Sequence, residues 1–306
     1  MERIPYLGHT ILRWRVGPST FLALPEKGAR LMNWNVTLGD GSVRDLIHWP
    51  EIPNLDEFAR VRGGNPILFP FAGRTYDRGE EGFWCFNGIE RRPMPIHGFA
   101  RQGDFRVTRL DEGGFSAQFV PGPDAKHGYP FDYEFTVSYR FQPQGLHVEL
   151  ELTNLGAAPI PWSAGHHFYF TLPWSEGLSR RDYFLDLPAG RAVRRNETGR
   201  LVDGPRLQPR ESLDNPALLD TIFTDLRGHQ FQVVERPTGA RLRFRTGFSN
   251  TAAKDAAVVT WAPDDKVPYY CVEPWMGPPN SFENKTGLHH VGPGQTQKFL
   301  VELLHG

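Results

Sequence analysis

A proton donor and a proton acceptor held on one rigid face can run acid–base chemistry without any cofactor. Three distant segments of this chain supply side chains of the right types. Pro95-Ile96-His97-Gly98 sets a histidine at a constrained bend, bracketed by proline and glycine. Gly165-His166-His167-Phe168-Tyr169-Phe170 sets two histidines in an aromatic run. Tyr269-Tyr270-Cys271-Val272-Glu273-Pro274-Trp275 carries a carboxyl whose neighbours solvate it poorly.

Adjacent residues of a strand point to opposite faces. His167 then shares a face with Gly165, Tyr169 and Thr171, and His166 shares one with Phe168 and Phe170. His167 is the expected ligand-facing residue and His166 the structural one. Gly165 leaves room for a close approach to the backbone beside His167. A histidine in such a run also fits a hydrogen-bonded core position. Glu273 shares its face with Tyr269 and Cys271. Desolvation raises a carboxyl pKa toward the range of a general base, yet a structural ion pair with arginine also accommodates such a group. Arg74 follows Ala72-Gly73 on an open loop, and Arg101 follows His97 by four residues. Both suit ligand binding on a loop, and both suit rim salt bridges. Trp162, Trp275, Tyr76 and Tyr169 lie near these segments. An aromatic face fits the apolar side of a pyranose ring, with one or two of the four expected at a ligand and the others in the core.

Other chemistries lack their signatures. Adjacent strand histidines cannot bind one ion together, and no His-x-His, Cys-x-x-Cys or His-Glu-x-x-His occurs. Dinucleotide, phosphate-loop and Gly-x-Ser-x-Gly fingerprints are missing as well. No metal or other cofactor is expected.

These side chains need a scaffold, and its period is two. Phe135, Val137, Tyr139 and Phe141 alternate with polar residues, and Gln142-Pro143-Gln144-Gly145 makes a turn. Leu146, Val148, Leu150 and Leu152 then resume the alternation, as expected for a β-hairpin with one wet face. A second hairpin runs through Phe105 and Val107 to Phe115, Ala117 and Phe119 around Asp111-Glu112-Gly113-Gly114. Leu242, Phe244 and Thr246, then Phe299, Val301 and Leu303, continue the pattern. Helical signals are confined to short turns at 54–61 and at 214–219, the latter with Asp214 as cap. No linker or repeat divides the 306 residues, so 1–306 is read as a single domain: all-β, a large antiparallel β-sandwich with a few short helices.

The net charge of −1 asks for neither nucleic acid nor an anionic membrane. The N-terminus lacks an apolar run of signal length, and no stretch approaches a membrane span. Cys85 and Cys271 read as buried thiols of a reducing compartment, with one bridge between them still open. A cytoplasmic monomer or homodimer is the expectation.

At these residues the chain resembles the aldose 1-epimerase (galactose mutarotase-like) family. The matching words are Asn65-Pro66-Ile67-Leu68-Phe69-Pro70 with Gly73-Arg74, His97-Gly98-Phe99-Ala100-Arg101, Gly165-x-His167-x-Tyr169-Phe170-x-Leu172 and Cys271-Val272-Glu273-Pro274-Trp275. They occur in family order. The resemblance implies a large antiparallel β-sandwich that interconverts sugar anomers. It implies Glu273 as the base for the C1 hydroxyl proton and His167 as the acid for the ring oxygen. His97 and Arg74 would hold the ring oxygen and hydroxyls. Asp220, in Leu218-Leu219-Asp220-Thr221, is similar to the family's substrate-binding aspartate. Phe168 replaces the family's usual proline after the histidine. The compact His-Gly-Phe-Ala-Arg form resembles the branch with glucose-6-phosphate 1-epimerases, which implies that Arg74 and Arg101 hold a sugar phosphate or, equally, hold a neutral sugar and orient Glu273. The expected ligand is thus a small sugar or sugar phosphate. A sugar-binding protein without turnover is the alternative from another class.

Overall fold

Alternation of apolar and polar residues organises the chain into two large antiparallel sheets. The computed structural model describes residues 1–247 and 255–306. Tyr133–Gln142 pairs with Gly145–Asn154, and Asp104–Asp111 pairs with Gly114–Val120, as the sequence pattern predicts. Among the described residues, Thr296–His305 and Arg241–Gly247 extend these hairpins into a nine-stranded sheet, and the opposing sheet has thirteen strands. Within it Tyr169–Thr171, Tyr269–Trp275, Ala257–Trp261 and Thr221–Leu226 lie side by side. The architecture is an all-β antiparallel sandwich.

The core fills the space between the sheets. Phe135, Val137, Tyr139 and Phe141 are all buried there, facing Trp14, Phe21 and Trp34 of the larger sheet. Phe21 stacks on Phe141 with ring centroids 4.3 Å apart. Each such aromatic or aliphatic side chain contributes about 1.5–3 kcal/mol when removed from water.

The same alternation decides which side chains leave the core. On Tyr269–Trp275, Tyr270 and Val272 join the main core, while Tyr269 and Cys271 pack with Tyr169 on the far side of the sheet. Phe168 and Phe170 point inward likewise. The outer face of the larger sheet therefore carries a second, polar and aromatic layer.

Several local expectations need correction. The turn at 214–219 is a 3₁₀ helix over Pro216–Leu218, and its cap is Asn215, not Asp214. Pro216 takes the first helical position, where its missing N–H costs nothing, and this fixes the cap one residue before it. The Asn215 side chain accepts from the Ala217 N–H at 3.0 Å. Of 54–61 only Phe58–Arg60 is helical. Pro123–Gly128 and Ser281–Asn284 form short α-helices that alternation did not reveal. Both cysteines are free, and Cys85 is half-buried rather than buried. Among the described residues no helix is long and apolar enough to cross a membrane.

Candidate active site

Asn65 shapes the bend that presents the histidines. Its buried amide donates to Tyr139 Oη at 2.8 Å and to His166 Nδ1 at 3.0 Å. Its Oδ1 accepts from the His167 N–H at 3.2 Å. His166 is fully buried between Phe168 and Phe299, as its expected structural role requires. His167 leaves the core and stacks on Tyr169, ring centroids 4.7 Å apart. The close approach at Gly165 is made by Trp275: a Cβ there would lie 2.6 Å from the indole. Glycine at 165 lets that indole pack on the strand backbone, edge-on to His97 with ring centroids 5.9 Å apart, and Trp275 Nε1 donates to the His166 carbonyl at 3.2 Å.

A cavity of about 670 Å³ opens on this face. His97, His167, Glu273 and Asp220 line it, as do Arg74, Arg101, Tyr169 and Trp275. These eight expected site residues thus line one hollow. Tyr76 and Trp162 are not among its walls. Trp162 is buried in the main core, and the Tyr76 hydroxyl bonds Glu81 and Arg195.

Within the hollow, His167 Nε2 lies 3.5 Å from Glu273 Oε1. Glu273 is 1% exposed, and its Oε2 has no hydrogen-bond partner. Burial, with Asp220 nearby, pushes its carboxyl well above the usual range. Burial and the Arg101 charge push the His167 imidazole down to about 3. Of the two groups the carboxyl is thus the favoured carrier of a shared proton in this dry setting.

His97 adopts φ +66°, a left-handed conformation rare for a side-chain-bearing residue. Its backbone N–H donates to the Gly73 carbonyl at 2.8 Å, and its Nδ1 accepts from the Gly73 N–H at 3.1 Å. Nδ1 is thus the unprotonated nitrogen. Burial and the neighbouring His167 hold the ring well below the usual histidine range, so it is neutral. A neutral ring of that tautomer carries its proton on Nε2 as a hydrogen-bond donor.

Charge on the walls is lopsided. Arg60, Arg62, Arg74, Arg101 and Arg195 line the cavity against the carboxyls of Asp220 and Glu273. Arg74 is paired with Glu81, and Arg60 with Glu57 at 2.9 Å. Arg62 and Arg101 form no ion pair among the described residues. Sequence reasoning missed Arg60, Arg62, Arg195 and Trp261. Arg62 stands just before Gly63-Gly64-Asn65, a loop signal that could have found it. Trp261 contacts His167 edge-on, 5.9 Å between ring centroids.

One group could hold a metal ion. His167, Cys271 and Glu273 each offer a donor atom within 4.8 Å of the others. The set suits a soft ion such as zinc. An ion there would occupy both members of the proton-holding pair.

The model of the aldose 1-epimerase family matches residues 19–299. This chain belongs to the aldose 1-epimerase family. The plasmid-borne protein LacX of Lactococcus lactis subsp. lactis is 29% identical over 241 residues, covering 72% of this chain and 76% of LacX. A galactose mutarotase-like protein from Clostridium acetobutylicum superposes with a TM-score of 0.81 at 19% identity, covering 100% of this chain and 98% of that one. Slr1438 from Synechocystis sp. PCC 6803 gives 0.79 at 21% identity, covering 100% and 99%. These likenesses show the shared fold. Aldose 1-epimerase family membership supports a carbohydrate epimerase.

Proposed function

We propose that the protein is a mutarotase that interconverts the α and β anomers of a hexose. The observation that carries this is the His167–Glu273 pair, 3.5 Å apart in a sugar-sized cavity with aromatic walls. In ring opening, ionised Glu273 takes the proton of the C1 hydroxyl. His167 gives its proton to the ring oxygen as the C1–O bond breaks. Rotation about C1–C2 presents the other carbonyl face. In closure His167 takes the proton back, and Glu273 returns its own to O1. Protons balance over the cycle, and none crosses to solvent. The form favoured by burial, with the proton on Glu273, is the one that ring closure needs. His97 Nε2–H is the donor that steadies a ring or hydroxyl oxygen. Trp275 and Tyr169 face the apolar side of the sugar. Mutarotation is slow in water, and a positioned acid or base contributes about 10²–10⁴-fold, so this machinery suffices.

A phosphorylated hexose is favoured as substrate by one observation. Arg62 and Arg101 present guanidinium groups to the cavity without carboxylate partners among the described residues, and guanidinium geometry matches phosphate. Arg74, expected from sequence to share that task, is already paired with Glu81. Its role is then to orient the near side of the ring.

Anomer-exchange NMR with glucose, galactose and glucose 6-phosphate tests the proposal. Exchange faster than in buffer is expected for the hexoses, and fastest for the phosphorylated one. Exchange at the solvent rate for all three, with sugar still bound, would leave a binding protein without turnover.

A further inference from the structure

Arg30 is a buried charge that takes no step in the proposed reaction, although its field adds to the forces that lower the His167 imidazole. It opens the strand Arg30–Thr37 and is 0% exposed. Among the described residues it has no carboxylate partner. Its Nη1 donates to the Gly63 carbonyl at 3.0 Å and its Nη2 to the Arg101 carbonyl at 2.9 Å. Its guanidinium lies 4.5 Å from the centre of the Phe58 ring. Burial lowers its pKa only to about 10, so it stays charged at neutral pH.

A buried unpaired charge is costly, and an apolar side chain of similar volume packs more cheaply. What the guanidinium does instead is join three segments remote in the chain. Gly63 is the residue after Arg62. Arg101 is touched at its own backbone. Phe58 begins the turn that ends at Arg60. Three of the five arginines lining this cavity, Arg60, Arg62 and Arg101, thus hang from one internal fork. Gly28, at φ +66°, shows how tightly the junction is built: a Cβ there would lie 2.7 Å from the same Arg101 carbonyl oxygen.

We propose that Arg30 is a positioning residue for an anion subsite, holding Arg62 and Arg101 at the spacing that receives the phosphate of the substrate. This rests on the phosphorylated-hexose reading given above. The planar fork matters, because lysine keeps the charge but cannot reach both carbonyls in one plane.

The test compares Arg30→Lys and Arg30→Gln with Arg62→Ala and Arg101→Ala. Mutarotation of glucose 6-phosphate and of glucose is followed, with inorganic phosphate as inhibitor and thermal unfolding as a control on folding. The Arg30 variants are expected to raise KM for glucose 6-phosphate about tenfold and weaken phosphate inhibition to match, because loosened arginines lose oriented contacts. For Arg30→Lys, which keeps the charge near His167, kcat and the kinetics on glucose should hold within about twofold. Where Arg30→Gln does not fold, Phe58→Leu must show the same split. An equal loss on both substrates would make Arg30 a fold residue only and overturn its role. If Arg62→Ala and Arg101→Ala weaken phosphate inhibition while the Arg30 variants do not, the Arg30 role alone fails. If Arg62→Ala and Arg101→Ala leave phosphate inhibition unchanged, the phosphorylated-substrate reading falls and takes this role with it.

Discussion

His167 Nε2 and Glu273 Oε1 face one another across 3.5 Å, on neighbouring segments of one sheet, with their surroundings driving their proton affinities in opposite directions. Two groups this close titrate as a unit, and the carboxyl is the favoured carrier of a proton they share. Several properties follow from that unit and from the walls around it.

The pH profile of catalysis should be broad. Adding a second proton means charging His167, which burial holds down to about 3. Removing the stored proton means ionising Glu273, which burial holds well above the ordinary carboxyl range. Activity is lost on the acid side when both groups are protonated and no base is left. It is lost on the alkaline side when neither is, and the ring oxygen finds no donor. Exchange rates measured across the mildly acidic range should therefore stay level. A drop centred near the ordinary histidine value of about 6.5 would show that His167 titrates as a solvated residue.

Stability should depend on His166. Burial lowers its pKa from 6.5 to about 3. Between those values the unfolded chain binds a proton that the folded chain does not. Stability then rises with pH across this window, and the contribution is lost as pH falls from 6.5 toward 3. Urea midpoints of wild type and His166→Phe should converge as pH falls, because phenylalanine removes the titration. Parallel pH dependences for the two proteins would contradict it.

Gly165→Ala tests the seat of Trp275. The added methyl would stand 2.6 Å from the indole and 3.1 Å from the Trp275 Cα. Overpacking of this kind costs about 1–3 kcal/mol. The indole, rather than the backbone, has open space to move into, which is the sugar cavity. A lower unfolding midpoint together with a raised KM is the expected result. An unchanged KM would mean that Trp275 does not face the substrate.

Much of this site is legible in sequence because two-residue periodicity sorts side chains by face. That rule alone separates His167 from His166 and puts Glu273 beside Cys271 and away from Val272. His97 is legible as a bend through its proline and glycine neighbours. The arginine wall is less so. Arg60, Arg62 and Arg101 meet only because the turns Phe58–Arg60 and Ala100–Gln102 pack together, and nothing local in either announces the other. Arg30 is hidden for the same reason. In sequence it is one more charge at the start of a strand. Arg74 shows the reverse case: its loop suited either a ligand group or a rim salt bridge, and Glu81, seven residues on, makes the salt bridge.

The central claim is that Glu273 and His167 exchange protons with the sugar. Anomer-exchange NMR on purified Glu273→Gln and His167→Asn, each verified as folded, tests it most directly. Glu273→Gln keeps side-chain size and hydrogen bonding, His167→Asn leaves a smaller polar group, and both remove the needed proton transfer. Each should slow catalysed exchange by about 10²–10⁴-fold. Either variant turning over at the wild-type rate would contradict the account.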